Sequence, residues 1–299
     1  MKSFIVKYRY AWYSLSAAMI LASFVGLGAY GLKQGIDFTG GSILAVRFEQ
    51  RPSITDTDAA LRDAVKDLGA VVIQPAGDSD IQIRTRALTE DEHSAVTAKL
   101  TQSFGTSTEL RFDAIGPVIG KELRDKSMKG LAITLVLILA YIAWAFRKVS
   151  GVVKSWQYGA VTIFAAFHDV IVPMGVFAFL GHFRGDEVGT PFVAAILTIL
   201  GYSITDTIVV LDRVRENLQV RDGSFAEIVE ASVQQTILRS FNTSATTLLT
   251  LLAIYFFGGM SLHDFTLTLI IGIAVGTYSS IFVAAPMLVT LDKWARRAK

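Results

Sequence analysis

The sequence predicts an α-helical polytopic membrane protein with six transmembrane helices and one α+β, ferredoxin-like domain. Three observations predict it. The 299-residue chain is 52% hydrophobic and has a mean hydropathy of +0.47, too apolar for a soluble domain of this length. Several of its apolar runs reach the ~20 residues needed to cross a hydrocarbon core. One long segment, 37–118, has a different texture, with short alternating runs and polar helical patterns.

The spans fall at roughly 11–32, 128–146, 156–180, 191–211, 238–257 and 265–288. The first, from Ala11 to Leu32, follows a basic start but is too long for a typical signal peptide, so it reads as a retained anchor. Basic residues set the orientation. With the N-terminus inside, the inner segments hold Lys2, Lys7, Arg9, Arg147, Lys148, Lys154, Arg213, Arg215, Arg221, Lys293, Arg296, Arg297 and Lys299. The two short outer loops hold only Arg184, so the ratio is thirteen to one and both termini are expected in the cytoplasm. The chain then divides into 1–34 (N-terminus and first span), 35–120 (an outer domain) and 121–299 (spans two to six).

Within the outer domain, "SILAVRF" alternates and puts Leu44, Val46 and Phe48 on one face. A helical pattern follows through Leu61, Val65 and Leu68, with Gly69 as its stop. "AVVIQ" and "DIQIRTR" read as strands joined by a turn at "AGDSD". Thr89 and Glu92 make a capping-box pattern for a second helix, whose Val96, Leu100 and Phe104 recur every four residues. "TELRFDA" alternates again, with Leu110 and Phe112 opposed to Glu109, Arg111 and Asp113. The order βαββαβ is that of a split-βαβ sandwich, which hosts many functions and names none. Between spans four and five, Ser224 and Glu227 form another capping box. Phe225, Ile228, Val229 and Val233 share a face, which predicts an amphipathic helix on the cytoplasmic surface near 224–236.

The informative residues are polar ones inside the spans. Asp206 is the one charge-capable residue between Phe192 and Leu211. A carboxylate at membrane depth costs about 2.5–3.5 kcal/mol on insertion scales, so it normally faces a bundle interior and has partners. It lies five residues from the end of its span, roughly 8 Å below the inner boundary. Span five enters from the same side. Its Arg239, Thr243, Thr246 and Thr250 fall within about 60° of one face, with Asn242 beside them. Thr205 precedes Asp206. The expectation is that Asp206 and Arg239 approach each other, and that a moving arginine switches the carboxyl between its neutral and ionised forms. The alternative stays open that Arg239 snorkels to the interface and Asp206 caps polar packing. In span three, His168 and Asp169 lie near the middle, and Pro173 frees the carbonyl of residue 169 from its helical bond. That pair reads as a proton wire or as a buried clasp between helices. Gly272, Gly276, Ser280 and Ala284 recur every four residues in span six and predict close helix contact.

Several classes are excluded. There are no cysteines, hence no disulfides, thiolate metal sites or Cys nucleophiles. The four histidines lack metal-ligand spacing, and no Gly-rich phosphate loop, HExxH or GxSxG is present. No catalytic residue, metal site, cofactor or nucleic-acid contact is expected, and the chain does not read as an enzyme.

"GIDFTGG" (35–41), "GYSITDTIVVLDRVREN" (201–217) and "RSFNTSATT" (239–247) resemble the SecD/SecF family of protein-export membrane proteins, on its SecF side. The resemblance covers the whole chain. It implies one half of a bundle of the resistance–nodulation–division (RND) type, with SecD supplying the other six-span half as a separate subunit. It also implies a multi-pass protein of the bacterial inner membrane, with a periplasmic α+β domain. The complex would assist the SecY–SecE–SecG channel, associate with YajC and YidC, and use the proton-motive force to draw the translocating preprotein outward. The family's proton-transport aspartate and arginine match Asp206 and Arg239. "GIDFTGG" would act as a hinge, with Gly35, Asp37, Gly40 and Gly41 relaxing the backbone. A small-molecule exporter of RND type is disfavoured, because such exporters carry larger outer domains. A non-transporting scaffold would have no need of Asp206.

Overall fold

In a computed structural model, residues 4–77, 79–145 and 154–297 are described. Lys2, Asp78, Arg147, Lys148 and Lys299, used above for topology and for one turn, lie outside the described residues. The chain divides into two compact units, Gln34–Met128 and a second formed by Met1–Lys33 with Lys129–Lys299.

The smaller unit contains α3 (Ile36–Thr39), β1 (Gly41–Phe48), α4 (Ile54–Ala64), β2 (Val72–Ala76), β3 (Asp80–Thr85), α5 (Glu90–Phe104) and β4 (Ser107–Ile115). The expected βαββαβ order is present. The strands form one antiparallel sheet in the order β2-β3-β1-β4. Leu44, Val46, Phe48, Leu61, Ile81, Ile83, Val96 and Leu100 make its core. Both edges of the helix pattern are as physics suggests. Ser53 caps α4, and Thr89 with Glu92 closes a capping box on α5.

Two details differ from expectation. Helix α4 ends at Ala64 rather than at Gly69, because Val65 turns to extended backbone; Leu68 reaches the core from the following loop. In β4 the register shifts where Ala45 pairs with Arg111 and Val46 with Glu109, so Leu110 is an extra residue. This β-bulge breaks the alternation. Leu110 is left 38% exposed outside the core, and Glu109 meets His93 of α5 at 2.8 Å while His93 stacks on Phe112.

An ion pair in this unit fixes the start of α5. Arg86 donates twice to Glu92, through Nη1 at 2.9 Å and Nη2 at 2.5 Å. The guanidinium, and then the Thr89 backbone amide, lower the Glu92 carboxyl from 4.5 to about 2. A depressed carboxyl contributes stability that is present above its ordinary range and is lost as pH falls through the folded value. Carboxyl-carbon NMR should find the Glu92 midpoint near 2, returning toward 4.5 in Arg86→Met. An unchanged midpoint in the variant would reject the pairing.

The larger unit holds α1 (Phe4–Lys7), α2 (Arg9–Ala29), α7 (Ser155–Phe183), α8 (Thr190–Val220), α9 (Phe225–Phe257), α10 (His263–Ser279), a π segment (Ser280–Ala284) and α11 (Ala285–Arg297). Helix α6 (Pro117–Ala145) carries the division between the units. Among the described residues, six helices are long and apolar enough to cross a membrane: α2, α6, α7, α8, α9 and the continuous stretch His263–Ala295. Helix ends outrun the apolar windows, since a helix continues into polar residues until something stops it. Thus α6 starts at Pro117, a residue suited to the first helical position, and α8 runs past Leu211 to Val220.

The segment 224–236 does not form a separate surface helix. The expected Ser224–Glu227 box is present, but it opens a single helix that continues to Phe257. Its apolar face, Ile228, Val229 and Val233, is buried. Beside that face, Glu230 accepts the Ile5 and Val6 backbone amides at 3.3 and 2.8 Å, pinning α1 to α9.

Helix α8 is central, packed by α7, α9 and α10. The small-residue face of α10 is where α8 comes closest. A Cβ on Gly272 would lie 2.2 Å from Ile199 Cδ1, and one on Gly276 would lie 3.4 Å from Ser203 Cβ. Ser280 and Ala284 continue this buried face into the π segment. The close contact expected from the four-residue spacing is therefore present, and it brings α8 against the polar residues described next.

Candidate functional site: two carboxylates of the helix bundle

Helix α8 presents Ser203 and Asp206 one turn apart. Asp206 stands near the middle of α8, sixteen residues after Thr190 and fourteen before Val220, roughly 24 and 21 Å along the axis. Ser240 Oγ of α9 donates to Asp206 Oδ1 at 2.6 Å, and Ser280 Oγ donates to Oδ2. Both serines are buried. A carboxylate in a largely apolar bundle is thus held by two hydroxyls from two other helices.

The second carboxylate is Asp169 of α7, fully buried beside fully buried His168. Asp169 Oδ1 faces His168 Nδ1 at 2.8 Å. Its Oδ2 accepts from Ser203 Oγ at 2.5 Å and Ser279 Oγ at 2.7 Å. His168 and Asp169 are therefore brought together, in a clasp that joins α7, α8 and α10. Helix α7 runs unbroken through Pro173. Gly276 packs beside this group, where a Cβ would lie at an ordinary contact distance of 3.5 Å from Asp169 Oδ2.

Asp206 and Arg239 do not form an ion pair, contrary to the sequence expectation. Ser240 faces Asp206, and successive helical residues diverge by about 100°, so Arg239 points elsewhere and is exposed. Among the described residues it has no ion pair. Asn242, Thr243 and Thr246 are exposed with it. Thr243 Oγ1 donates to the Arg239 carbonyl at 2.9 Å, and Thr246 Oγ1 to the Asn242 and Thr243 carbonyls at 3.0 and 2.9 Å. The stripe lies on the outside of this chain's bundle. Thr205 is likewise exposed and donates to the Gly201 carbonyl at 2.8 Å, away from the Asp206 contacts.

The face of α9 that enters the bundle carries small serines instead. Ser240 reaches Asp206. One turn on, Ser244 meets Tyr202 OH at 2.9 Å and Thr277 Oγ1 at 2.5 Å. Sequence reading missed Ser203, Ser240 and Ser279, and treated Ser280 only as a small residue. Their signal was present: serines at helical spacing from a membrane carboxylate, and a Ser279–Ser280 pair at the π segment. π turns concentrate at functional sites.

The arrangement suits reversible protonation. An ionised Asp206 accepts from Ser240 and Ser280. A neutral one carries its own proton, which frees one serine proton to turn away. Ser280 Oγ has alternative acceptors in the Gly276 and Thr277 carbonyls at 3.1 and 3.2 Å. Both charge states can therefore be hydrogen-bonded by hydroxyl rotation alone. Among the described residues no cluster of His, Cys, Asp or Glu is arranged to hold a metal ion.

The glycine motif is closely packed. Ile36–Thr39, including Asp37, forms one helical turn. Gly35 has ordinary extended backbone, with φ −80°. Gly40 and Gly41 have φ of 74° and 136°, and a Cβ on Gly40 would lie 2.8 Å from Pro117 Cα. A Cβ on Gly120 would likewise lie 2.8 Å from Gly40 N.

Comparison with known proteins identifies the family. The model described as "Protein export membrane protein SecD/SecF, C-terminal" matches residues 95–294, and the SecD/SecF GG motif matches residues 25–50. The chain belongs to the SecD/SecF family. Within that family, it is 44% identical to the protein translocase subunit SecF of Thermobaculum terrenum, over 96% of this chain and 93% of that one. It is 37% identical to the protein translocase subunit SecDF of Thermus thermophilus, over 96% of this chain but only 38% of that longer one. The crystal structure of SecDF from the same organism, a translocon-associated membrane protein, matches with a TM-score of 0.79 at 33% identity, over 96% of this chain and 38% of that chain. The SecD/SecF GG-motif match contains the Gly40–Gly41 corner, and the C-terminal match contains both carboxylates.

Proposed function

We propose that this chain is the SecF subunit of the bacterial protein-export machinery, and that with SecD it uses the proton-motive force to promote translocation of preproteins through SecY–SecE–SecG. Asp206 carries the proton and Arg239 is its switchable counter-charge. The observation that carries this reading is the Asp206 site itself: a mid-helix carboxyl with hydroxyl partners on two helices that can satisfy either charge state. The second support is the exposed stripe led by Arg239. Arg239 opens the apolar run 238–257, where an arginine calls for protein or water around it, and among the described residues it is exposed and has no ion pair. SecD is the partner that would cover it, which agrees with a fused Thermus chain of which this sequence matches only 38%. YajC and YidC join the same assembly in this reading. The role is transport, with no bond chemistry assigned to the chain.

The test is translocation of a secretory preprotein into inverted inner-membrane vesicles with and without a proton gradient. Vesicles containing the SecD complex should show a gradient-dependent component that vesicles lacking it do not. Equal translocation in both would reject the function.

Orientation follows from the charge distribution. The α+β unit is placed in the periplasm and both termini in the cytoplasm. Reporter fusions after Gly120 should be external, and those after Arg221 and Lys299 internal. An internal Gly120 fusion would overturn the orientation.

A further inference from the structure

We propose that Asp169 is a positioning residue for the Asp206 relay: through Ser203 and Ser279 it ties to α7 the helix that carries Asp206 and the end of α10 that leads into Ser280. The proposal rests on the relay reading above. Three groups converge on Asp169: Ser203 Oγ and Ser279 Oγ donate to Oδ2, and His168 Nδ1 lies 2.8 Å from Oδ1, as donor or acceptor according to its tautomer. A carboxylate accepts from both serines and from the Nδ1–H tautomer of His168, so one side chain of α7 ties α8 and the end of α10 together. His168 completes the site from the same helix. His168 Nε2 is buried and, among the described residues, has no hydrogen-bond partner.

The connection to Asp206 is short and runs by two routes. Ser203 precedes Asp206 by three residues on α8 and so lies on the same face. Ser279 adjoins Ser280, which donates to Asp206, at the junction of α10 with the π segment. Ser279 also has the Gly276 carbonyl at 3.1 Å as an alternative acceptor. If Asp169 lets go, Ser279 can relax onto its own helix and the junction loses its tie to α7. Around Asp206, α9 contributes Ser240 with Arg239 next along the chain, the π segment Ser280, and α7 the Asp169–His168 pair. The phenols of Tyr202 and Tyr278 are engaged elsewhere, with Ser244 and with the Trp12 carbonyl.

The test uses the complete complex with SecD and the channel, reconstituted in liposomes. The double variant Ser203→Ala/Ser279→Ala cuts both routes while leaving the Asp169 side chain in place. It is expected to reduce gradient-driven export several-fold without abolishing it. It should also move the pH midpoint of that export upward by about one unit, a tenfold change in proton affinity, because loosened donors favour the neutral Asp206. Infrared difference spectra between acidic and alkaline states should show a carboxylic-acid C=O band that is absent in Asp206→Asn and shifted in the double variant. A clasp with only a folding role would lower the amount of complex and leave the midpoint and the band unmoved, which overturns the proposal. It is also overturned if the band persists in Asp206→Asn and disappears in Asp169→Asn, since Asp169 would then carry the proton itself. Full gradient-driven export by Asp206→Asn, in contrast, would reject the relay reading whatever the Asp169 variants do. Should Asp169→Asn fail to assemble, the double variant alone decides between positioning and packing.

Discussion

Asp206→Asn should reduce preprotein export to the level seen without a proton gradient, while expression and SecD binding stay near normal. Asparagine has nearly the same volume and can still pair with Ser240 and Ser280, because each hydroxyl can accept as well as donate. What it cannot do is bind and release a proton. The driving energy is adequate in kind, since one charge crossing the membrane potential gains about 2.3 kcal/mol per 100 mV. Asp206→Glu should retain partial export, because the acid is kept but its oxygens are displaced from Ser240 and Ser280. Vesicle translocation with and without an uncoupler measures the effect. Parental export by Asp206→Asn under a full gradient would remove Asp206 from the mechanism.

Asp206 was legible in the sequence because a carboxylate inside an apolar run is costly, and its presence alone raises the question of a partner. The partner was not legible. Pattern reading pairs charges and gathers strongly polar side chains, so it selected the stripe of Arg239, Asn242, Thr243 and Thr246. The structure places the smaller serines 240 and 244 toward α8, where their size permits close approach. Hydroxyls are weak signals in a helix, where most bond back to their own carbonyls, as Thr205 and Thr243 do. For the same reason His168 and Asp169 could be noticed from the sequence, but not the serines that make them a clasp.

The fold was more legible than its boundaries. Alternation and capping patterns give the βαββαβ order because each strand and helix buries one face. The bulge that displaces Leu110 depends on the pairing of β4 with β1, which no local pattern contains. Similarly, the apolar face of 224–236 is legible as a face, but the reading laid it on the cytoplasmic surface, whereas Ile228, Val229 and Val233 are buried in the bundle. Whether it lies on a membrane surface or forms the first turns of α9 depends on the absence of a break before Leu238, which a capping box at Ser224 does not report.

Arg239→Met should also remove the gradient-dependent part of export, and by a route distinct from Asp206→Asn. Arg239 makes no contact with Asp206 in this chain, so the variant should leave the Ser240 and Ser280 bonds in place. It removes a cation from the face assigned to SecD. In the ionised state, Asp206 gains from a positive charge on the neighbouring helix α9. Without it the neutral carboxyl is favoured, and proton release becomes the difficult step. Methionine keeps the length and the apolar stem and tolerates lipid or protein surroundings, so assembly should survive. Arg239→Lys keeps the charge but loses the planar, forked guanidinium, and should restore export only in part. The discriminating measurement is the infrared band assigned to Asp206 in the SecD complex. In Arg239→Met it should persist to higher pH than in the parent. An unchanged band together with normal export would show that Arg239 is an interface residue without electrostatic influence on the carboxyl. An unchanged band with export lost would show that Arg239 acts elsewhere in the transport cycle.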